Sequence, residues 1–271
     1  MIPKPYKQLL LTLFIGMAVL HWLSIDVSAD SKNNPPANTA IGGNILRVGV
    51  STNAPPLIFK QNGKVVGLEA DLAKALAADM GRSVKFVEVK WDDQIQALLD
   101  KKTDIIMSGM SITRLRQVRI AFSNPYFRSG QIALVHIKDL DRFKMGYPAF
   151  AKSRAIGTVK NTTGDIYVRE KFSATKVIDF STSKKGVEAL ISGKIEVFIH
   201  DAPIILQLAS ENEDKNLKPV FSVFLTEEYL AWGIRREDAA IMSAANRFLD
   251  TIKKDGRLMQ MVKRWICLLY T

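Results

Sequence analysis

From Ile45 onward the chain alternates short apolar runs with stretches that are apolar on one side only. Residues 45–51, ILRVGVS, read as a strand, and 67–80 as a helix, because Leu68, Leu72, Ala75, Leu76 and Met80 recur at three- and four-residue steps. Gly81 stops that helix. Residues 84–89 then read as a strand, 95–99 as a helix and 104–107 as a third strand. Strands separated by helical segments predict a parallel sheet covered by helices.

The same order restarts downstream. Strands are expected at 155–159, 177–180 and 196–199, with helices at 164–172 and 184–192 between them. A strand at 229–234 and helices at 238–253 and 256–265, broken at Gly256, follow without a sheet of their own. That last segment is therefore expected to pack back on the first unit. The result is an α/β fold of two lobes, each a central mostly parallel sheet flanked by helices, with two crossings near 126–130 and 226–230. The first lobe would take 45–128 plus 229–271 and the second 129–228. Ligands of such sheets sit beyond the carboxyl ends of the strands, so a cleft between the lobes is the expected site.

The first 29 residues follow a different pattern: Lys4 and Lys7 precede an apolar run over 9–20, and Val27-Ser28-Ala29 offers small residues for cleavage. This is the pattern of a cleavable secretion signal. His21, Ser24 and Asp26 keep the run below the roughly 20 apolar residues that a spanning helix needs. Residues 30–44, DSKNNPPANTAIGGN, are expected to be a flexible leader. Cys267 is the only cysteine, so no thiol stands at the cleavage site to carry a lipid and no internal disulfide can form. These features predict a free secreted protein that is not a lipoprotein.

The formal charge is +11, and removal of Lys4, Lys7 and Asp26 with the signal lowers it by one. Such an excess could serve a polyanion. Here, however, the basic residues come as scattered pairs such as Lys101-Lys102 and Arg235-Arg236, without aromatic interleaving, so no nucleic-acid partner is expected. His21, His136 and His200 are widely separated and one cysteine cannot complete a site, so no metal is expected; no cofactor motif occurs either.

The candidate chemistry begins at residues 108–116, SGMSITRLR, directly after the third strand. A small-residue turn running into a short helix can offer the carbonyl of Gly109, the amide and hydroxyl of Ser111 and the planar fork of Arg116. That set suits a carboxylate. In the second unit, Lys160-Asn-Thr-Thr-Gly164 precedes a helix, so the amides of Thr163 and Gly164 form a helix N-terminus, a second seat for an anion. Asp201 follows the strand at 196–199, where it could also cap the helix after it. His200 could equally be a satisfied core residue, and Asp165 needs no role beyond the helix dipole.

The order of these motifs resembles the bacterial extracellular solute-binding proteins of family 3, which bind polar amino acids for ABC importers. The resemblance spans about residues 45–265 and rests on Gly67-Leu-Glu-Ala-Asp-Leu72, Trp91-Asp92, Leu98 with Lys102-Thr-Asp104, SGMSITRLR, Phe122-Ser-Asn-Pro-Tyr126, residues 157–164 and His200-Asp201. It implies a type II periplasmic binding fold that closes over one free L-amino acid and presents it to an ABC permease, with the monomer as the working form. By the same resemblance Arg116 grips the α-carboxylate, aided by the Ser111 amide. The Ser111 hydroxyl, the Gly109 carbonyl and Asp201 take the α-ammonium. Trp91, Lys160 and His200 approach the side chain.

The side-chain end departs from the family's basic binders. Their usual acid is missing from Ser51-Thr-Asn-Ala-Pro-Pro-Leu57, and Ala54 stands where an aromatic is often found. Lys160 and His200 agree with the glutamine-binding branch, so a glutamine- or glutamate-like ligand is expected over a basic one. Two rival readings share the fold. A periplasmic enzyme similar to cyclohexadienyl dehydratase would need a glutamate in the second-lobe loop, which here reads Asn161-Thr-Thr-Gly164. A ligand-sensing domain of a receptor would continue into a membrane span, whereas six residues follow Trp265. The expectation is a binding protein rather than an enzyme.

Overall fold

The computed structural model describes residues 44–267; residues 1–43, where the secretion signal and flexible leader are expected, and residues 268–271 lie outside it. Two five-stranded sheets organise the described chain. The first runs, edge to edge, Ser83–Glu88, Ile45–Val50, Ile105–Ile106, Gly233–Ile234, Ala121–Phe122. The second runs Val177–Phe180, Ile156–Val159, Val197–Asp201, Gln131–His136, Leu217–Val220.

In each sheet one strand opposes the rest. Gly233–Ile234 is antiparallel to both neighbours in the first sheet, as is Gln131–His136 in the second. Each reversed strand is the segment that has just arrived from the other lobe. Phe127–Ser129 leads out of the first lobe and Glu228–Leu230 leads back, and these two segments pair antiparallel, Ser129 opposite Glu228 and Phe127 opposite Leu230. The two crossings thus form a two-stranded ribbon between the sheets. The single strand expected at 229–234 is therefore two, Glu228–Leu230 in the ribbon and Gly233–Ile234 in the sheet.

The helices follow the apolar periodicity. Leu68–Asp79 buries Leu68, Leu72, Ala73 and Leu76 against the first sheet, where Leu46, Val48, Trp232 and Phe248 complete the core. Fully burying one side chain of this size contributes about 2 kcal/mol. Ala133, Phe143, Phe150, Ile156, Phe172 and Val197 form the corresponding core of the second lobe. Ala239–Lys254 and Arg257–Val262 return to the first lobe, as their apolar faces require. There Trp265 meets Phe59 edge-on at 5.9 Å and donates from Nε1 to Asp71 at 2.8 Å. A small sheet of Asn53–Ala54, Ile58–Gln61 and Lys64–Val66 fills the connection after the first strand. Among the described residues, no helix is long and apolar enough to cross a membrane.

Candidate functional site

The first-lobe wall is a turn held from below by a buried acid. Ile105–Ile106 lies parallel to Val48 and Gly49, which delivers residues 107–111 to the carboxyl edge of the sheet. Gly109 has φ +67°, a left-handed conformation, and a Cβ there would stand 2.8 Å from Leu57 Cδ1. Its N–H donates to Glu69 Oε1 at 2.7 Å. Glu69 is fully buried and also accepts from Tyr126 Oη at 2.8 Å and Trp232 Nε1 at 3.0 Å. Burial pushes its carboxyl up to about 7, against the three donors that favour the ionised form. The acid in Gly67-Leu-Glu-Ala-Asp-Leu72 thereby ties helix, turn and crossing together.

Arg116 sits one turn into Arg114–Arg119, whose N-cap Thr113 accepts from the Arg116 amide at 3.2 Å. The side chain doubles back: Nη1 donates to the Ser111 carbonyl at 2.8 Å, and the guanidinium lies over the Trp91 ring, 5.1 Å from its centroid. Desolvation lowers its pKa, and the negative charges of Asp201 and Glu228 oppose that fall. A planar cation is thus held by two neighbours at the cavity wall.

The second-lobe wall is the N-terminus of Thr163–Lys171 beside the end of Val197–Asp201. Thr162 caps the helix, accepting from the Asp165 amide at 3.3 Å. Asp165 is buried and accepts from Thr158, Asn161 and Arg169, which fixes the loop from behind. Asp201 stands at the N-cap position of Ala202–Glu211, yet its side chain makes no cap hydrogen bond. Instead Oδ1 accepts from Gln131 Nε2 at 2.7 Å. His200 is buried beside it, with Nδ1 2.7 Å from the Asp201 amide nitrogen.

Between these walls lies a cavity of about 500 Å³. Of the candidate residues, Trp91, Gly109, Ser111, Arg116, Lys160, Thr163, His200 and Asp201 line it. Gly164 is not among the lining residues: it is buried under Gln131, where a Cβ would come within 2.5 Å of Oε1. The walls also touch across the cleft. Trp91 Nε1 donates to the Asn161 carbonyl at 3.1 Å, and Asn161 Nδ2 donates to Asp92 at 2.9 Å.

Two residues at the back of the cavity carry no motif in the sequence. Gln131 and Glu228 are both buried, one at each crossing. Glu228 accepts from Ser111 Oγ at 2.5 Å, Thr163 Oγ1 at 2.8 Å, Thr226 Oγ1 at 2.7 Å and Gln131 Nε2 at 3.0 Å. An acid inside the apolar stretch at 228–234 was the one available signal. Among the described residues no cluster of His, Cys, Asp and Glu could hold a metal ion.

The chain matches the family described as bacterial extracellular solute-binding proteins, family 3, over residues 46–267. It is 29% identical to the ABC transporter glutamine-binding protein of Bacillus subtilis, covering 89% of this chain and 88% of that one. It is 26% identical to the arginine-binding periplasmic protein of Mannheimia haemolytica, covering 78% and 87%. Its fold is similar to the crystal structure of an ancestral amino acid-binding protein, a precursor of cyclohexadienyl dehydratase, with a TM-score of 0.76 at 32% identity over 82% of this chain and 95% of that one.

Proposed function

The chain belongs to family 3 of the bacterial extracellular solute-binding proteins, and on that premise we propose that its cleft binds one polar L-amino acid for an ABC importer. The observation that carries this reading is that Arg116 and Asp201 line opposite walls of one cavity of about 500 Å³. A cation and an acid so placed complement an α-carboxylate and an α-ammonium. Arg116 offers its fork to the carboxylate, with the Ser111 amide beside it. Asp201 takes the ammonium with the Ser111 hydroxyl and the Gly109 carbonyl, and the N-terminus of Thr163–Lys171 adds a field favourable to the carboxylate. Because the groups come from both lobes, the ligand gains most when the lobes are closed, which is the condition for it to shift the population.

Glutamine or glutamate is the favoured ligand over a basic amino acid. Lys90 and Lys160 line the cavity and no ion pair is found for either among the described residues. The lining acids Asp92 and Asp179 are already engaged, by Asn161 and by Arg169. A cationic side chain would meet spare positive charge, while an amide or carboxylate would meet a donor in Lys160 or His200. The working location in this reading is the periplasm after removal of residues 1–29, the working form a monomer, and the partner an ABC permease.

Calorimetry of the mature chain against the twenty L-amino acids tests the proposal, with phenylpyruvate formation from prephenate assayed in parallel. Saturable binding of one or a few polar amino acids, abolished by Asp201→Ala, is expected. Turnover of prephenate would replace the reading with an enzymatic one.

A further inference from the structure

We propose that Glu228 is a positioning residue that fixes which way the ligand-facing hydroxyl of Ser111 points, and so sets the cavity's preference for a ligand bearing an ammonium. The proposal rests on the amino acid-binding reading above and concerns a residue outside the cavity lining. Glu228 lies on the returning crossing, opposite Ser129, and is buried. Its four partners reach it from separate parts of the molecule: Ser111 from the first-lobe turn, Thr163 from the second-lobe helix, Gln131 and Thr226 from the two crossings.

The direction of each hydrogen bond follows from chemistry. A carboxylate only accepts, so the hydroxyl protons of Ser111, Thr163 and Thr226 all point at Glu228. Gln131 is oriented by the same logic. Its Nε2 faces Asp201 Oδ1 at 2.7 Å, Glu228 Oε1 at 3.0 Å and Thr163 Oγ1 at 3.1 Å, and turning the amide would set its oxygen against two carboxylates. Ser111 lines the cavity and the proton of its Oγ is committed to Glu228 at 2.5 Å, so only lone pairs remain for the cleft. That hydroxyl can accept from an ammonium and cannot donate to a carboxylate. An amide at position 228 could offer its own N–H to Ser111 and free the hydroxyl proton to turn into the cavity, where it would repel the ammonium.

The test is calorimetric affinity for L-glutamine, L-glutamate, L-arginine and L-histidine, each measured beside the same acid lacking the α-ammonium, in wild type, Glu228→Gln, Ser111→Ala and the double variant. Glu228→Gln is expected to reduce the preference for the amino acid over its ammonium-free counterpart by about tenfold, the scale of one hydrogen bond to a charged group. Ser111→Ala should show the same selective loss, and the double variant little more than either single one. Ser111→Ala leaves the crossing carboxylate intact, so it reads the effect even if Glu228→Gln does not fold. A uniform loss for both members of each pair, or additive single effects, would reduce Glu228 to a structural residue and overturn the proposal. If wild type binds none of the four amino acids while an ammonium-free acid binds, the amino acid reading fails and this proposal fails with it. Binding by wild type with an unchanged preference in Glu228→Gln defeats the proposal alone.

Discussion

The two walls of the cleft are built in opposite ways. The first-lobe wall is one continuous segment, residues 108–116, shaped by its own glycine, its own N-cap and an acid from the neighbouring helix. The second-lobe wall presents Thr163 and Asp201, held from behind by Gln131 and Glu228; these four are up to 97 positions apart along the chain and meet only when both crossings are formed. A wall of the first kind can be shaped within its own lobe. A wall of the second kind depends on how the lobes sit, so it can couple binding to closure.

That contrast is broken most strongly by Arg116→Ala. In the proposed reading the guanidinium is the main cationic anchor of the first wall, and truncating one partner of a desolvated charge pair costs about 3 kcal/mol, on the order of a hundredfold in affinity. Calorimetry should show this loss with the melting temperature nearly unchanged, because the Arg116 side chain contacts the Ser111 carbonyl and the Trp91 ring at the cavity wall. A comparable loss of stability would mean that this wall is not locally shaped.

A second test concerns Glu69 under the same wall. Its carboxyl is pushed up to about 7 by burial, above the ordinary value near 4.5. A folded-state pKa raised in this way contributes stability that is fully present below the unfolded value and lost as pH rises through 4.5 to about 7. A rise of that size corresponds to at most about 3 kcal/mol. Urea unfolding at pH 4.5, 6 and 8 should therefore show a fall in wild-type stability that is absent or flattened in Glu69→Gln. Parallel curves for the two proteins would contradict the assignment.

The smallest expected effect sharpens the other side of the comparison. Trp91→Phe keeps an aromatic plate under Arg116 but removes the donor to the Asn161 carbonyl across the cleft. One hydrogen bond of this kind contributes about 1 kcal/mol, so affinity should fall about fivefold, mainly through faster dissociation. Stopped-flow kinetics measures it. An effect confined to the association rate would place Trp91 outside the closing contact.

The difference between the walls also explains what could be read from the chain. Arg116, Ser111 and Gly109 were legible because one short motif carries turn, cap and anchor together. Asp201 was legible as the end of an apolar strand, although its N-cap position left two roles open; its side chain makes no cap hydrogen bond and accepts from Gln131 instead. Gly164 shows the limit of local reading: a glycine opening a helix reads as an exposed amide, and nothing local shows that the Gln131 side chain packs against its Cα. Gln131 and Glu228 left almost no trace, since they join the network mostly through partners 32 to 117 positions away. The two-lobe architecture followed from periodicity. The reversed strand Gln131–His136 did not, because its short apolar run Ile132-Ala-Leu-Val135 has no alternation and carries nothing that marks its direction in the sheet.

The most direct test of the central claim is a crystal structure of the mature chain grown with the L-amino acid that calorimetry selects. The account predicts one molecule in the cleft, its α-carboxylate on the Arg116 guanidinium and the Ser111 amide and its α-ammonium against Asp201 and Ser111 Oγ. A ligand bound with these ends reversed, or bound without contact to Arg116 and Asp201, would contradict it.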